Sequence, residues 1–169
     1  MKKKILYSLL GLFVLIQFIR PSKNSSDDRS YDISTKYQVP AEVGSILSVA
    51  CLDCHSNKTN YPWYAELQPV GWFLNKHVTD GKGDLNFSAF TQLPLAVQNH
   101  KFEEVIEMVK EGEMPLASYT YLGLHADANL TSEQRQSIVD WAASQMDLLK
   151  AQYPADSLVL RRRRPEPGI

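Results

Sequence analysis

Four apolar residues, Phe102, Val105, Ile106 and Val109, recur at i, i+3, i+4 and i+7, with Glu103, Glu104, Glu107 and Lys110 between them. That spacing predicts an amphipathic helix with one buried face, and Gly112 supplies its C-terminal stop. A second helix is predicted from Thr131. Gln134 stands three positions on, as in a capping box, and Ile138, Trp141, Ala142, Met146 and Leu149 form its apolar side, with Tyr153-Pro154 ending it. From Ala41 the pattern is again helical, and Ile46, Leu47, Ala50 and Cys54 share a face. Residues 69–80 predict a further helix, entered at Pro69 and stopped at Gly81. Residues 83–95 are less regular, residues 113–130 predict a loop, and no strand pattern of useful length or internal repeat occurs. The chain therefore predicts an all-α domain.

The flanks differ from this domain. Lys2, Lys3 and Lys4 precede an apolar run from Ile5 to Ile19. A charged n-region followed by an apolar h-region is the layout of a secretory signal. Arg20-Pro21-Ser22 follows in place of a small-x-small cleavage site, which favours an uncleaved signal anchor over a cleaved peptide. The anchor would leave the lysines in the cytoplasm and the domain outside, on the periplasmic side of the inner membrane. The organisation expected is anchor 1–20, polar linker 21–40, helical domain 41–152 and disordered basic tail 153–169, the last containing Arg161 to Arg164.

Charge sharpens the picture. Residues 45–150 hold thirteen acidic and seven basic side chains, whereas both flanks are net positive. An acidic domain argues against nucleic acid and for a partner with a basic surface.

The chemistry sits in Cys51-Leu52-Asp53-Cys54-His55, which contains the only two cysteines of the chain. Cys-x-x-Cys-His is the attachment sequence of c-type haem. Each thiol adds across one vinyl group and the histidine coordinates the iron. A thioredoxin-like pair would need a β-α-β pattern that the flanks lack, and a zinc site would need further ligands. Four residues compete for the sixth iron position. Met114, in Gly112-Glu113-Met114-Pro115, is favoured, because a soft thioether presented on a proline-restrained loop suits iron. His77 reads as a partly exposed helix histidine and His100 as solvated. His125 could bond a haem propionate or the backbone. Among the aromatics, Tyr61, Trp63, Tyr64, Trp72 and Phe73 lie near the motif in sequence. Trp72, Tyr119 and Tyr121 are candidates for polar haem contacts.

These residues resemble, in order, the haem-binding domain family of exported bacterial proteins. The likeness runs through Cys51 to His55, Ser56-Asn57, Tyr61-Pro62-Trp63-Tyr64, Pro69-Val70, Trp72, His77 and Gly81. It continues through Leu85-Asn86-Phe87-Ser88, Gly112 to Leu116, Ser118-Tyr119, Leu124-His125, Leu130-Thr131 and Trp141. The resemblance covers roughly residues 45–150 and implies a small cytochrome c-like fold around one covalent haem. It implies Cys51 and Cys54 as vinyl partners, His55 as the proximal ligand and Met114 as the distal one. The leading expectation is an electron carrier outside the cytoplasm that works with a redox partner protein. The rivals are a haem enzyme or sensor with a displaceable sixth ligand (a peroxidase or a gas-binding protein), and a haem-free module in which Cys51 and Cys54 form a disulfide.

Overall fold

The structure is a computed structural model that describes residues 1–160. Six α-helices carry it: α1 (Lys2–Ile16), α2 (Ala41–Ala50), α3 (Val70–Asp84), α4 (Leu95–Glu111), α5 (Ala117–Thr120) and α6 (Ser132–Gln152), with short 3-10 segments in most of the connections. Among the described residues the only β-type pairing is an isolated bridge between Ser25 and Lys58.

The helices end where local chemistry dictates. The α4 helix stops at Gly112, which takes a left-handed φ of 76° that a side chain would resist. The α6 helix opens with a complete capping box, Thr131 accepting from the Gln134 N–H and Gln134 accepting from the Thr131 N–H. The α4 and α6 helices pack against each other, and their shared core is aromatic. Phe102 lies 5.0 Å from Tyr37 and from Phe90, and 5.7 Å from Trp141, between ring centroids. Buried Gln98 ties the polar edge of this cluster. Its side-chain oxygen accepts from the Tyr37 hydroxyl at 2.5 Å, and its amide donates to the carbonyls of Thr91 and Leu93.

Residues 20–40 are not the free linker their polarity suggests. Ile33 and Tyr37 are buried in the core, and Trp141 Nε1 donates to the Gln38 carbonyl at 3.0 Å. Asn24 binds the Ser56 carbonyl and Thr59. Two apolar side chains are enough to draw an otherwise hydrophilic stretch into the domain. Residues 153–160, expected within the disordered tail, are packed on the domain: Leu158 is buried in the same core and its carbonyl accepts from Asn99. Arg161 to Arg164 lie outside the described residues.

The membrane span expected at the N-terminus is not formed. The α1 helix has 15 residues, none of them buried, and so rises about 22 Å, short of the ~30 Å of a hydrocarbon core. No helix of the described residues is long and apolar enough to cross a membrane. The end of this segment is bonded to the domain, with Gln17 and Gln68 exchanging two hydrogen bonds and Trp72 Nε1 donating to the Ile19 carbonyl at 2.8 Å.

Candidate functional site

A cavity of about 620 Å³ opens between the turn after α2, the α3 and α4 helices, and the segment following α4. That size falls within the ~300–1,000 Å³ range of sites that enclose a small organic molecule. Leu47, Leu85, Phe87, Val105, Val109 and Ile138 supply apolar wall.

Cys51, Cys54 and His55 line it together. The sequence pattern placed the thiols on the α2 helix, but that helix ends at Ala50 and the motif forms a separate turn. Cys51 leaves helical geometry at φ −127°, and the His55 N–H then donates to the Cys51 carbonyl at 2.9 Å. The turn is braced by the segment 85–88. The Phe87 N–H donates to the His55 carbonyl at 2.8 Å, and the Asn57 N–H to Ser88 Oγ at 3.2 Å.

His55 Nδ1 lies 3.0 Å from the Leu85 carbonyl. A carbonyl only accepts, so Nδ1 carries the proton and Nε2 keeps its lone pair for a metal. This orienting bond is invisible in the sequence, because thirty residues separate its partners. Among the described residues no group of three or more His, Cys, Asp or Glu is placed to hold a metal ion.

Burial pushes the Cys51 thiol up to about 12, with Cys54 adding to the effect, and pushes Cys54 up to about 11, with Asp53 adding to it. Both sulfurs are protonated at neutral pH. This is the opposite of the activated thiolate that a thiol–disulfide catalyst needs.

The α3 helix approaches this turn closely at Gly81. It does not stop there, as glycine suggested, but runs on to Asp84. A Cβ at Gly81 would stand 3.1 Å from Cys54 Cβ and 3.3 Å from both the Cys54 carbonyl oxygen and His55 Cε1. The glycine serves close packing, and the helix passes through it. Gly81→Val is expected to lower stability by about 1–3 kcal/mol through overpacking and to reduce the yield of haem-loaded protein. At Gly83 an added Cβ meets nothing within 4 Å, so Gly83→Ala should stabilise by about 0.5–1 kcal/mol. Thermal melts of the two variants check the contrast, and equal effects would remove the packing argument.

Met114, Pro115 and Leu116 border the same cavity. The Met114 backbone is held on both sides. Its N–H donates to the Met108 carbonyl at 3.2 Å, and its carbonyl accepts from Arg135 Nη1 at 3.1 Å, a guanidinium that also caps Val109 at 3.0 Å. Met108, which the sequence pattern did not single out, lines the cavity too, so two thioethers border it.

The remaining candidates separate. His100 borders the cavity with its side chain still 40 % exposed, as a solvated histidine would be, and its two nitrogens each stand 3.2 Å from a carboxylate, Glu103 and Glu104. His77 lines the cavity with Nδ1 at 2.9 Å from the Phe73 carbonyl. It precedes Gly81 by one helical turn and so shares the wall on which His55 packs. Tyr119 is at the cavity and donates to Asp53 Oδ2 at 2.8 Å. Burial and that carboxylate raise the phenol well above its usual range, so it keeps its proton. His125 does not line the cavity but stacks flat on Tyr119, centroids 4.1 Å apart, with Nε2 2.8 Å from the Tyr64 hydroxyl. Trp72 and Tyr121 lie away from the cavity. Trp72 is turned to Ile19, and Tyr121 is 68 % exposed.

A family model described as a haem-binding domain matches residues 11–144. No match was found among curated proteins or among solved structures.

Proposed function

The chain belongs to the haem-binding domain family, and we propose that it holds one haem covalently through Cys51 and Cys54 and passes single electrons outside the cytoplasm. One observation carries the reading: a single apolar cavity brings together both thiols, an imidazole whose tautomer leaves Nε2 free, and a tethered thioether. Haem iron, when bound, supplies a one-electron couple, and His/Met ligation raises its potential. The protein's own part is positional. The Leu85 carbonyl orients His55, Arg135 holds Met114, and the apolar wall excludes water. With His55 and Met114 both holding the iron, a bound haem would offer no place for a substrate, which favours a carrier over an enzyme.

The mouth supports a basic partner. Asp80, Asp84, Glu104 and Glu107 reach the cavity, and Lys101, the basic side chain among them, is paired with Glu104 at 2.6 Å. Docking there would be weak and salt-sensitive. The lysine-led α1 helix is the export signal in this reading, placing the domain on the periplasmic face of the inner membrane.

The test is spectroscopic. Full-length protein matured with haem-attachment machinery should keep its haem after denaturation and, when ferric, show a methionine–iron charge-transfer band. Met114→Ala should abolish that band, and Met108→Ala should preserve it. A band that survives Met114→Ala overturns the ligand assignment. A wild-type protein with no such band, which instead binds peroxide or a diatomic gas, supports the enzyme or sensor reading.

A further inference from the structure

Little regular structure holds the segment carrying Met114. Between Gly112 and Thr131 the longest helix is the four-residue α5, and single turns of this kind are marginal on their own. Three side-chain interactions tie the segment down. Arg135 holds the Met114 carbonyl. The Tyr119 hydroxyl donates to Asp53 Oδ2 at 2.8 Å. Tyr119 stacks on His125, which reaches Tyr64.

The second of these has a particular partner. Asp53 stands between the two thiol-bearing residues and is itself immobilised. Its Oδ1 accepts from the Asn60 N–H at 3.0 Å, and its carbonyl accepts from Thr59 Oγ1 at 2.5 Å. The Tyr119 hydrogen bond therefore joins the segment that carries the sixth ligand to the turn that carries the two attachment sulfurs. Both partners face the cavity.

We infer that Tyr119 is the positioning residue for the sixth iron ligand, its hydrogen bond to Asp53 latching the Met114 segment against the Cys51–His55 turn. This rests on the reading that Met114 occupies that position. The latch acts through geometry. With it closed, Met114 cannot swing away without breaking a charge-assisted hydrogen bond in a partly buried setting. With it broken, the segment keeps the Met114 backbone contacts to Met108 and Arg135 and the His125–Tyr64 bond, and an external ligand competes more easily for the iron. Tyr119 touches neither the metal nor a substrate in this role.

The experiment uses the full chain matured with covalent haem. The ferric protein is titrated with imidazole, which competes with the protein's own sixth ligand. Tyr119→Phe removes one oxygen and keeps the ring stacked on His125. Imidazole affinity should rise about tenfold, the scale of one lost charge-assisted hydrogen bond. Asp53→Ala should act in the same direction, and Asp53→Asn should fall between it and wild type, because its single uncharged amide oxygen can accept from only one of Tyr119 and Asn60. The double variant Tyr119→Phe/Asp53→Ala should exceed neither single one, since both remove the same bond. Wild-type imidazole affinity in Tyr119→Phe, alongside much tighter binding in Met114→Ala, sinks the latch and leaves the ligand assignment standing. Unchanged affinity in Met114→Ala instead overturns the ligand assignment on which the latch rests.

Discussion

Protein carrying Cys51→Ala and Cys54→Ala together should retain no haem after denaturation, while the wild-type chain stains for haem and either single variant keeps a weaker signal. The two cysteines are the only ones of the chain and both line the same cavity, so no other thiol can substitute. A single thioether still tethers the ring, which is why one substitution weakens the signal and two abolish it. Stability should fall as well. A protein that buries a macrocycle against Leu85, Phe87, Val105 and Ile138 loses that apolar contact when the ring is absent. The melting temperature should drop by more than about 10 °C, because each kcal/mol shifts a domain of this size by roughly 2–4 °C. Haem staining of a denaturing gel and a thermal melt read the two effects. Covalent haem in the double variant would remove the motif from the mechanism.

The second large effect lies in the aromatic core. Phe102→Ala should cost about 3–5 kcal/mol, the range for deleting a fully buried aromatic ring. Phe102 is 1 % exposed and touches Tyr37, Phe90 and Trp141, so one ring joins the 33–37 turn, the 87–92 turns and α6. Three separate elements would then border one void, which limits how far the site can collapse. The same helix presents Val105, Met108 and Val109 to the cavity, so loosening it should also lower haem retention. Leu148→Ala, at a position of α6 that is 50 % exposed, should stay within about 0.5 kcal/mol of wild type. Urea melts decide, through a lower midpoint at unchanged slope. A loss below about 1 kcal/mol for Phe102→Ala would show that the core repacks around the gap.

Much of this was legible along the chain. The α4 period, its Gly112 stop and the Thr131 capping box depend on neighbours within one helical turn, and each stands in the structure where the pattern placed it. Gly81 shows where such reading fails. A glycine after a helical run signals a stop, but the same residue also serves where two backbones meet. The second use depends on Cys54 and His55, which are about twenty-six residues away. Tyr37 and Ile33 were hidden by polar neighbours for a similar reason, since burial is decided by what packs on a residue and not by local composition. Trp72 looked suited to a polar haem contact because aromatics cluster near the motif in sequence, yet its indole is bonded to Ile19.

The sequence by itself determined the helical class, the acidic domain and the pentapeptide that marks it for haem, because these rest on spacing within a few residues and on side-chain chemistry. Only the tertiary structure decided that Leu85 orients His55, that Gly81 admits α3 against the thiol turn, and that Tyr119 meets Asp53 sixty-six positions earlier. Each of these is a contact between distant segments, and such contacts exist only once the intervening chain has packed.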